Sequence, residues 1–98
     1  MTPEALIRLA ELDDSVCHEL DLHASHLQLD PTRHIAQALK DTKKMGKDVL
    51  KIIHGRGAGI LQNTTRRFLD QAQRKGAIQY FRASDRFGEL GAVIYVIV

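Results

Sequence analysis

The sequence has one cysteine, no tryptophan and few aromatic side chains, which make up 5% of its 98 residues. Cys17 has no second cysteine to pair with, so an internal disulfide is excluded and a reducing, cytoplasmic location is expected. Its thiol is expected to be a small buried group rather than a nucleophile. The N-terminal residues do not place a basic segment before an apolar one, which argues against a secretory signal.

Long apolar runs are also missing. No segment approaches the ~20 residues that a membrane-spanning helix needs, so we expect no membrane partner. Internal repeats and low-complexity segments are not visible. The content of 44% hydrophobic and 27% charged residues is typical of one ordinary globular domain.

Acidic and basic residues are unevenly distributed, although the formal net charge is only +2. Residues 1–30 hold seven acids and one base, a net −6, whereas residues 31–98 hold thirteen bases and five acids, a net +8. This gradient predicts a basic surface on the later part of the domain, suited to an anionic partner. Solvated helix faces are the alternative interpretation.

The spacing of apolar residues predicts the element order α-β-α-β-α-β-β. Helices are predicted at residues 3–14, 31–45 and 59–75, and strands at residues 18–24, 48–54, 77–82 and 92–98. Because strand–helix–strand crossovers are right-handed, the first two strands should be parallel, with their carboxyl ends at one rim. The expected fold is α/β (two-layer α+β), a four-stranded mixed sheet with two long helices packed on it. Residues 1–16 are expected to form an accessory helix before a domain at 17–98.

A glycine-rich loop, His54-Gly55-Arg56-Gly57-Ala58-Gly59, separates the second predicted strand from the last predicted helix. Glycines reach positive φ and leave backbone N–H groups uncovered, and a helix N-terminus directs further N–H groups to the same place. Gly55, Arg56, Gly57 and Gly59 are therefore candidates to bind phosphate. The spacing is not that of dinucleotide-binding loops, and no Lys-Ser/Thr pair follows as in a P-loop. A tight turn without a ligand is the alternative.

Three polar residues are expected to meet beside this loop as candidate catalytic groups. Asp21 and His23 alternate with Leu20 and Leu22 near the end of the first strand, and His54 ends the second. Histidine can contact phosphate, move a proton or bind a metal, and aspartate can orient a histidine or hold Mg²⁺ or Mn²⁺. The alternatives are histidines bonded to nearby backbone and an aspartate that caps a loop.

The run Leu20-Asp21-Leu22-His23, paired with Ile53-His54 and the glycines that follow, resembles the motifs of the small MutS-related (Smr) domain family. The likeness extends over residues 18–98 and includes Gly91 and the region of Arg82. Ala24 departs from the pattern, because many members have glycine there. In this resemblance Asp21 and His23 belong to the first motif, and His54, Gly55, Gly57 and Gly59 to the second.

The resemblance implies nucleic-acid binding, with DNA-nicking or RNA-cleaving endonuclease activity in some members, often within a larger DNA-repair or RNA-processing protein. A phosphodiester hydrolase and a non-catalytic binding module both remain open, as do DNA or RNA as substrate and the need for Mg²⁺ or Mn²⁺. A small-molecule phosphate enzyme is disfavoured, because the chain lacks a second domain to close over a ligand.

Non-specific contacts with a phosphate backbone are expected from basic residues of the later part of the chain. These are Arg66, Arg67, Arg74, Lys75, Arg82 and Arg86. Among the aromatic residues, Phe68 is expected in the core. Tyr80, Phe81 and Phe87 are candidates for base stacking, with a core position favoured for Phe81 and a surface position for Phe87.

Overall fold

The computed structural model describes residues 1–23, 29–57 and 59–98, which form three α-helices and a four-stranded sheet. The elements are α1 (Pro3–Leu12), a 3₁₀ turn (Asp14–Val16), β1 (Cys17–Asp21), α2 (Pro31–Lys44), β2 (Val49–Ile53), α3 (Ile60–Arg74), β3 (Tyr80–Ala83) and β4 (Val93–Ile97). The predicted element order and fold class are confirmed. In the described residues, none of the helices has the length and apolar character that crossing a membrane demands.

The strands lie in the order β1-β2-β4-β3. β1 pairs in parallel with β2, and Asp21 lies opposite Ile53, while β4 runs antiparallel to both β2 and β3. The predicted parallel arrangement of the first two strands is therefore confirmed. Their carboxyl ends share one rim, and the backbone N–H of Leu22 extends the pairing there by donating to the carbonyl of Ile53 at 2.8 Å.

Helices α2 and α3 pack side by side on one face of the sheet. Ile35 and Leu39 on α2 and Leu69 on α3 recur at helical spacing and are buried against strand residues such as Leu50 and Ile94. The first residues of both helices, Pro31 and Ile60, lie beside that rim, because they line one cavity with His23 and His54.

Helix α1 covers the opposite face of the sheet. Ile7 and Ala10 have no exposed surface and pack in one cluster with Cys17, Val49 and Tyr95. Cys17 is the small buried thiol that its sequence context predicts, and burial raises the pKa of the thiol. Both faces of the sheet are thus covered, although the predicted division between residues 16 and 17 stays a prediction.

Most predicted strand boundaries differ from the structure by one residue, and two of them differ by three residues. β1 ends at Asp21, because the Asp21 carboxylate accepts a hydrogen bond from the backbone N–H of His23 at 2.9 Å and turns the chain. The predicted end, Ala24, lies outside the described residues. β3 begins at Tyr80 rather than residue 77, because the N–H of Ala77 bonds back to the carbonyl of Ala72 in α3.

Candidate functional site

The glycine loop connects β2 to α3 at the rim. Gly55 has φ +79° and Gly59 has φ +89°, in the left-handed region that side chains other than glycine rarely adopt. Gly57 is not in that region, so the expectation of positive φ is correct for the first and last glycines and wrong for the middle one. A Cβ atom at Gly57 would have open space around it.

A cavity of about 590 Å³ opens beside this loop. Its lining combines the three glycines, two histidines, the first residue of α2 and the first turns of α3. These residues are His23, Pro31, His54, Gly55, Gly57, Gly59, Ile60, Leu61, Gln62 and Thr64. The structure therefore brings together the two predicted histidines and the three predicted glycines.

The N-terminus of α3 differs from those of the other two helices. The Thr2 hydroxyl accepts a hydrogen bond from the first turn of α1, and the Asp30 carboxylate does the same for α2. Gly59 occupies the corresponding position of α3, where no side-chain hydrogen bond caps the helix. Backbone N–H groups at a helix start carry partial positive charge. Here they lie at the wall of the cavity.

His54 is a buried histidine, with only 4% of its surface exposed. Burial holds its pKa below the ordinary value, and the nearby positive charge of Arg66 acts in the same direction, while a bond to the Gly55 carbonyl opposes them. Its Nδ1 lies 2.8 Å from that carbonyl oxygen, which can only accept, so Nδ1 carries the hydrogen. In the neutral ring, the other nitrogen, Nε2, is then a proton acceptor.

His23 is exposed and lies just beyond the end of β1. Its ring packs so closely on Gly55 that a Cβ atom there would lie 2.5 Å from Nδ1 of His23. Gly55 thus requires glycine for two reasons, its positive φ and this contact. The two histidines are held close to the same glycine, His23 by packing and His54 by its hydrogen bond.

Asp21 is exposed and does not line the cavity. By strand alternation it shares the sheet face of Cys17, which α1 covers. Its carboxylate bonds the backbone N–H of His23 and so fixes the turn that presents the His23 ring. The structure places Asp21 as an orienting group behind His23 rather than in the cavity.

Arg56 reaches away from the cavity towards the loop between β3 and β4. Its Nε donates to the carbonyl of Leu90 at 2.8 Å, and its Nη2 donates to that of Gly88 at 3.3 Å. These bonds occupy part of the guanidinium group that the sequence assigns to phosphate. Arg56 therefore joins two loops at the rim.

The basic residues of α3 fall into two groups. Arg66 and Arg67 are exposed, and neither forms an ion pair with any residue in the described ranges. Arg74 pairs with Asp70 at 3.0 Å. Lys75 lines a separate groove of about 300 Å³ between the far ends of α2 and α3. Arg66 and Arg67 are therefore the two of these four residues that add unpaired positive charge near the cavity.

Arg82 and Arg86 lie under α1 and are engaged by its residues. Arg82 is 17% exposed and bonds the carboxylates of Glu4 at 2.7 Å and Glu11 at 3.1 Å. Arg86 donates to the backbone carbonyl of Glu11. The hydrogen bonds from Arg82 and then Tyr80 hold the pKa of Glu4 below its usual value. These two arginines fasten α1 to the sheet and its adjoining loop, and neither lines the cavity.

The aromatic residues also divide into those that contact the core or α1 and one that is exposed. Phe68 and Phe81 pack against the core, as their sequence context favours, and the Tyr80 hydroxyl donates to Glu4. Phe87 is 94% exposed, which confirms its predicted surface position. It is the stacking candidate that the fold leaves accessible.

Side chains that could coordinate a divalent cation do not cluster in the described residues. Within residues 1–23, 29–57 and 59–98, no three histidine, cysteine, aspartate or glutamate side chains come together as a metal-binding group. These residues therefore offer no cluster of protein ligands ready to hold Mg²⁺ or Mn²⁺.

Sequence reasoning missed other parts of the site. Gln62 and Thr64 line the cavity, and their position in the first turns after the glycine loop was the available signal. Glu89 accepts hydrogen bonds from Ser84 and Tyr95 and pairs with Lys51 at 3.0 Å. No local pattern reveals that cluster, because its members come together only through the order of the strands.

Comparison with known proteins agrees with the family resemblance of the sequence motifs. A family model described as the Smr domain matches residues 20–97 of the chain. Among solved structures, the Smr domain of MutS2 from Thermus thermophilus is similar, with a TM-score of 0.54 and 28% sequence identity. That match covers 81% of this chain and 94% of the other. No curated protein matches the sequence significantly.

Proposed function

We propose, from the premise that this chain belongs to the Smr domain family, that it binds the sugar–phosphate backbone of a nucleic acid in the cavity beside the glycine loop. Smr domains are nucleic-acid-binding and nuclease-type modules. The observation that carries the proposal is the uncapped N-terminus of α3, which opens on a cavity lined by three glycines and two histidines.

The binding step follows from the charge of the cavity wall. N–H groups at the start of α3 and the glycine backbone are donors suited to phosphate oxygens. Arg66 and Arg67 lie one to two turns further along the same helix and supply unpaired positive charge. Together these groups would hold the backbone without reading its sequence.

As an endonuclease, the site would use its two histidines to move protons. Water attacks the phosphorus, and the bond between phosphorus and the leaving oxygen breaks. The proton of the water passes to Nε2 of His54, and His23 donates a proton to the leaving oxygen. The N–H groups of α3 stabilise the negative charge that develops on the phosphoryl oxygens.

A non-catalytic module is the second candidate, and the position of Asp21 favours it. The carboxylate that would bond a histidine ring or activate water lies outside the cavity and, within the described residues, bonds only the backbone N–H of His23. In this case the domain would position a larger DNA-repair or RNA-processing protein on its substrate. The free thiol of Cys17 supports a place for either candidate in the reducing cytoplasm.

Replacing Gly57 with valine tests the cavity directly. The site has open space and no positive φ, so Gly57→Val should fold normally while obstructing the cavity, and phosphate and oligonucleotide affinities should fall roughly 10-fold or more. Gly88→Val is the matched control for inorganic phosphate, because Gly88 also has open space and lies outside the cavity. Amide shifts during phosphate titration provide the measurement, and shifts far from residues 54–64 would contradict the proposal.

Incubation with labelled single- and double-stranded DNA and RNA, in Mg²⁺, Mn²⁺ or EDTA, separates the two candidates. For an endonuclease, His54→Gln and His23→Ala should each lower the cleavage rate by roughly 10²-fold with little change in binding. Binding by the wild type without cleavage under any of these conditions would select the non-catalytic module.

A further inference from the structure

The loop between β3 and β4 is fastened to the glycine loop by backbone and side-chain bonds. The N–H groups of His54 and Gly55 both donate to the carbonyl of Ala92, at 2.9 and 3.1 Å. Arg56 adds its bonds to the carbonyls of Leu90 and Gly88. Residues 88–92 are therefore held beside the proposed phosphate site.

The same loop is anchored on its other side by a partly buried acid. The Glu89 carboxylate accepts hydrogen bonds from Ser84 at 2.8 Å and Tyr95 at 3.0 Å, and it pairs with Lys51. Burial alone would raise the pKa of Glu89, but these three partners outweigh it and lower the pKa. The N–H groups of Glu89 and Leu90 also bond the carbonyl of Arg86 at 3.0 Å. These hydrogen bonds and the ion pair therefore hold the base of the loop in place.

Phe87 stands at the tip of this loop with 94% of its surface exposed. It directly precedes Gly88, whose carbonyl accepts the bond from Arg56. An exposed aromatic ring on a loop that is bonded to the glycine loop through Arg56 offers a flat apolar face to a nucleobase. Bases inside a continuous duplex have both faces covered by their neighbours, so only an unpaired base can use such a ring.

We propose that Phe87 is a stacking platform for an unpaired base next to the phosphate held by the glycine loop, and that the preferred ligand is therefore single-stranded nucleic acid. This inference rests on the proposed function, because it needs a backbone in the cavity. The phosphate site fixes the strand, and Phe87 distinguishes unpaired from paired bases.

The chain has no tryptophan, so Phe87→Trp introduces a single indole at the proposed platform. A mixed-sequence single-stranded DNA oligonucleotide and the RNA of the same sequence should quench its fluorescence in a saturable manner. The blunt DNA duplex of that sequence and inorganic phosphate alone should not. Absence of quenching by single strands that bind this variant would overturn the platform.

Affinity measurements provide the second readout. Phe87→Ala should weaken binding of the single strand roughly 10-fold and change duplex binding less than about 2-fold. Leu90→Ala is the matched control, because Leu90 is half exposed in the same loop and its carbonyl bond to Arg56 does not need its side chain. If Phe87→Ala leaves the single-strand affinity unchanged, or lowers the affinities for strand and duplex equally, the stacking role of Phe87 is wrong, whereas the phosphate site is not contradicted. Failure of the wild type to bind any of these nucleic acids would overturn both proposals.

Discussion

His54 combines a polar ring with a buried position, and its chemistry follows from that combination. Water is largely excluded from the ring, so the neutral form is favoured and its pKa lies below the ordinary value. A neutral ring with its hydrogen on Nδ1 is prepared to accept a proton, and this state should persist in mildly acidic solution.

Acidification should therefore destabilise the fold through His54. Its pKa is near 6.5 in the unfolded chain and lower in the fold, so the unfolded state binds more protons between the two values. The free energy of unfolding is highest above pH ~6.5 and falls below it, by at most about 1.4 kcal/mol per pH unit. Urea titrations of wild type and His54→Gln between about pH 7.5 and about pH 5 measure this difference. Equal losses for the two proteins would assign the effect to other groups.

Residues with local partners could be predicted from the sequence, and residues with remote partners could not. Gly55 and His54 are adjacent and their roles at the rim follow from one motif. Arg56 looks like a phosphate ligand in that motif, but it bonds the carbonyl of Leu90, 34 positions away. Arg82 bonds Glu4, 78 positions away, which no local pattern indicates.

At the scale of elements, α1 is a structural layer of the domain. Its apolar face predicts a helix, but an amphipathic pattern does not say which surface the helix covers. The structure supplies that surface, the sheet face opposite α2 and α3, and ion pairs from Glu4 and Glu11 to Arg82 fix the helix there.

Truncating the buried face of α1 should weaken the whole domain. Ile7→Ala removes a fully buried side chain and should lower the free energy of unfolding by about 2 to 5 kcal/mol. Leu12→Ala, on the same helix but 87% exposed, should change it by no more than about 0.5 kcal/mol. Chemical denaturation measures both. A loss below about 1 kcal/mol for Ile7→Ala would make α1 the accessory helix that the sequence suggests.

Across the whole molecule, the charge gradient of the sequence becomes a difference between two faces. α2 and α3 together carry seven basic and two acidic residues on one face of the sheet. The carboxylates of α1 are bound to arginines on the other face. The surplus of positive charge therefore lies on the side where α3 begins at the cavity.

This arrangement predicts how salt weakens binding to a single strand. The log–log slope should be about −0.7 for each phosphate neutralised, so Arg66→Gln should make it shallower by about 0.7. Arg74→Gln changes the charge equally on the same helix, but its cation is paired with Asp70 and lies about 12 Å further along the axis. It should change the slope less. Anisotropy titrations between about 50 and about 200 mM salt provide the measurement, and equal changes would point to net charge alone.

The topology was only partly accessible to sequence reasoning. The parallel pairing of β1 and β2 follows from the handedness of crossovers, and this places both histidines at one rim. No comparable rule predicts the position of β4 between β2 and β3. That position brings Glu89 to Lys51 and the β3–β4 loop to the glycine loop, so the contact between these two loops could not be predicted beforehand.

The uncapped start of α3 links the stability of the domain to what it binds. A capping side chain stabilises a helix by roughly a few tenths of a kcal/mol relative to glycine, and α1 and α2 obtain this from Thr2 and Asp30, whereas Gly59 offers no side chain. An anion bound at the proposed site would take the place of that cap, and by mass action it would stabilise the fold by an amount that grows with the ratio of its concentration to its dissociation constant. The thermal stability of the domain would then depend partly on the ligand, because two helices are capped by their own side chains and the third would be capped by the bound anion.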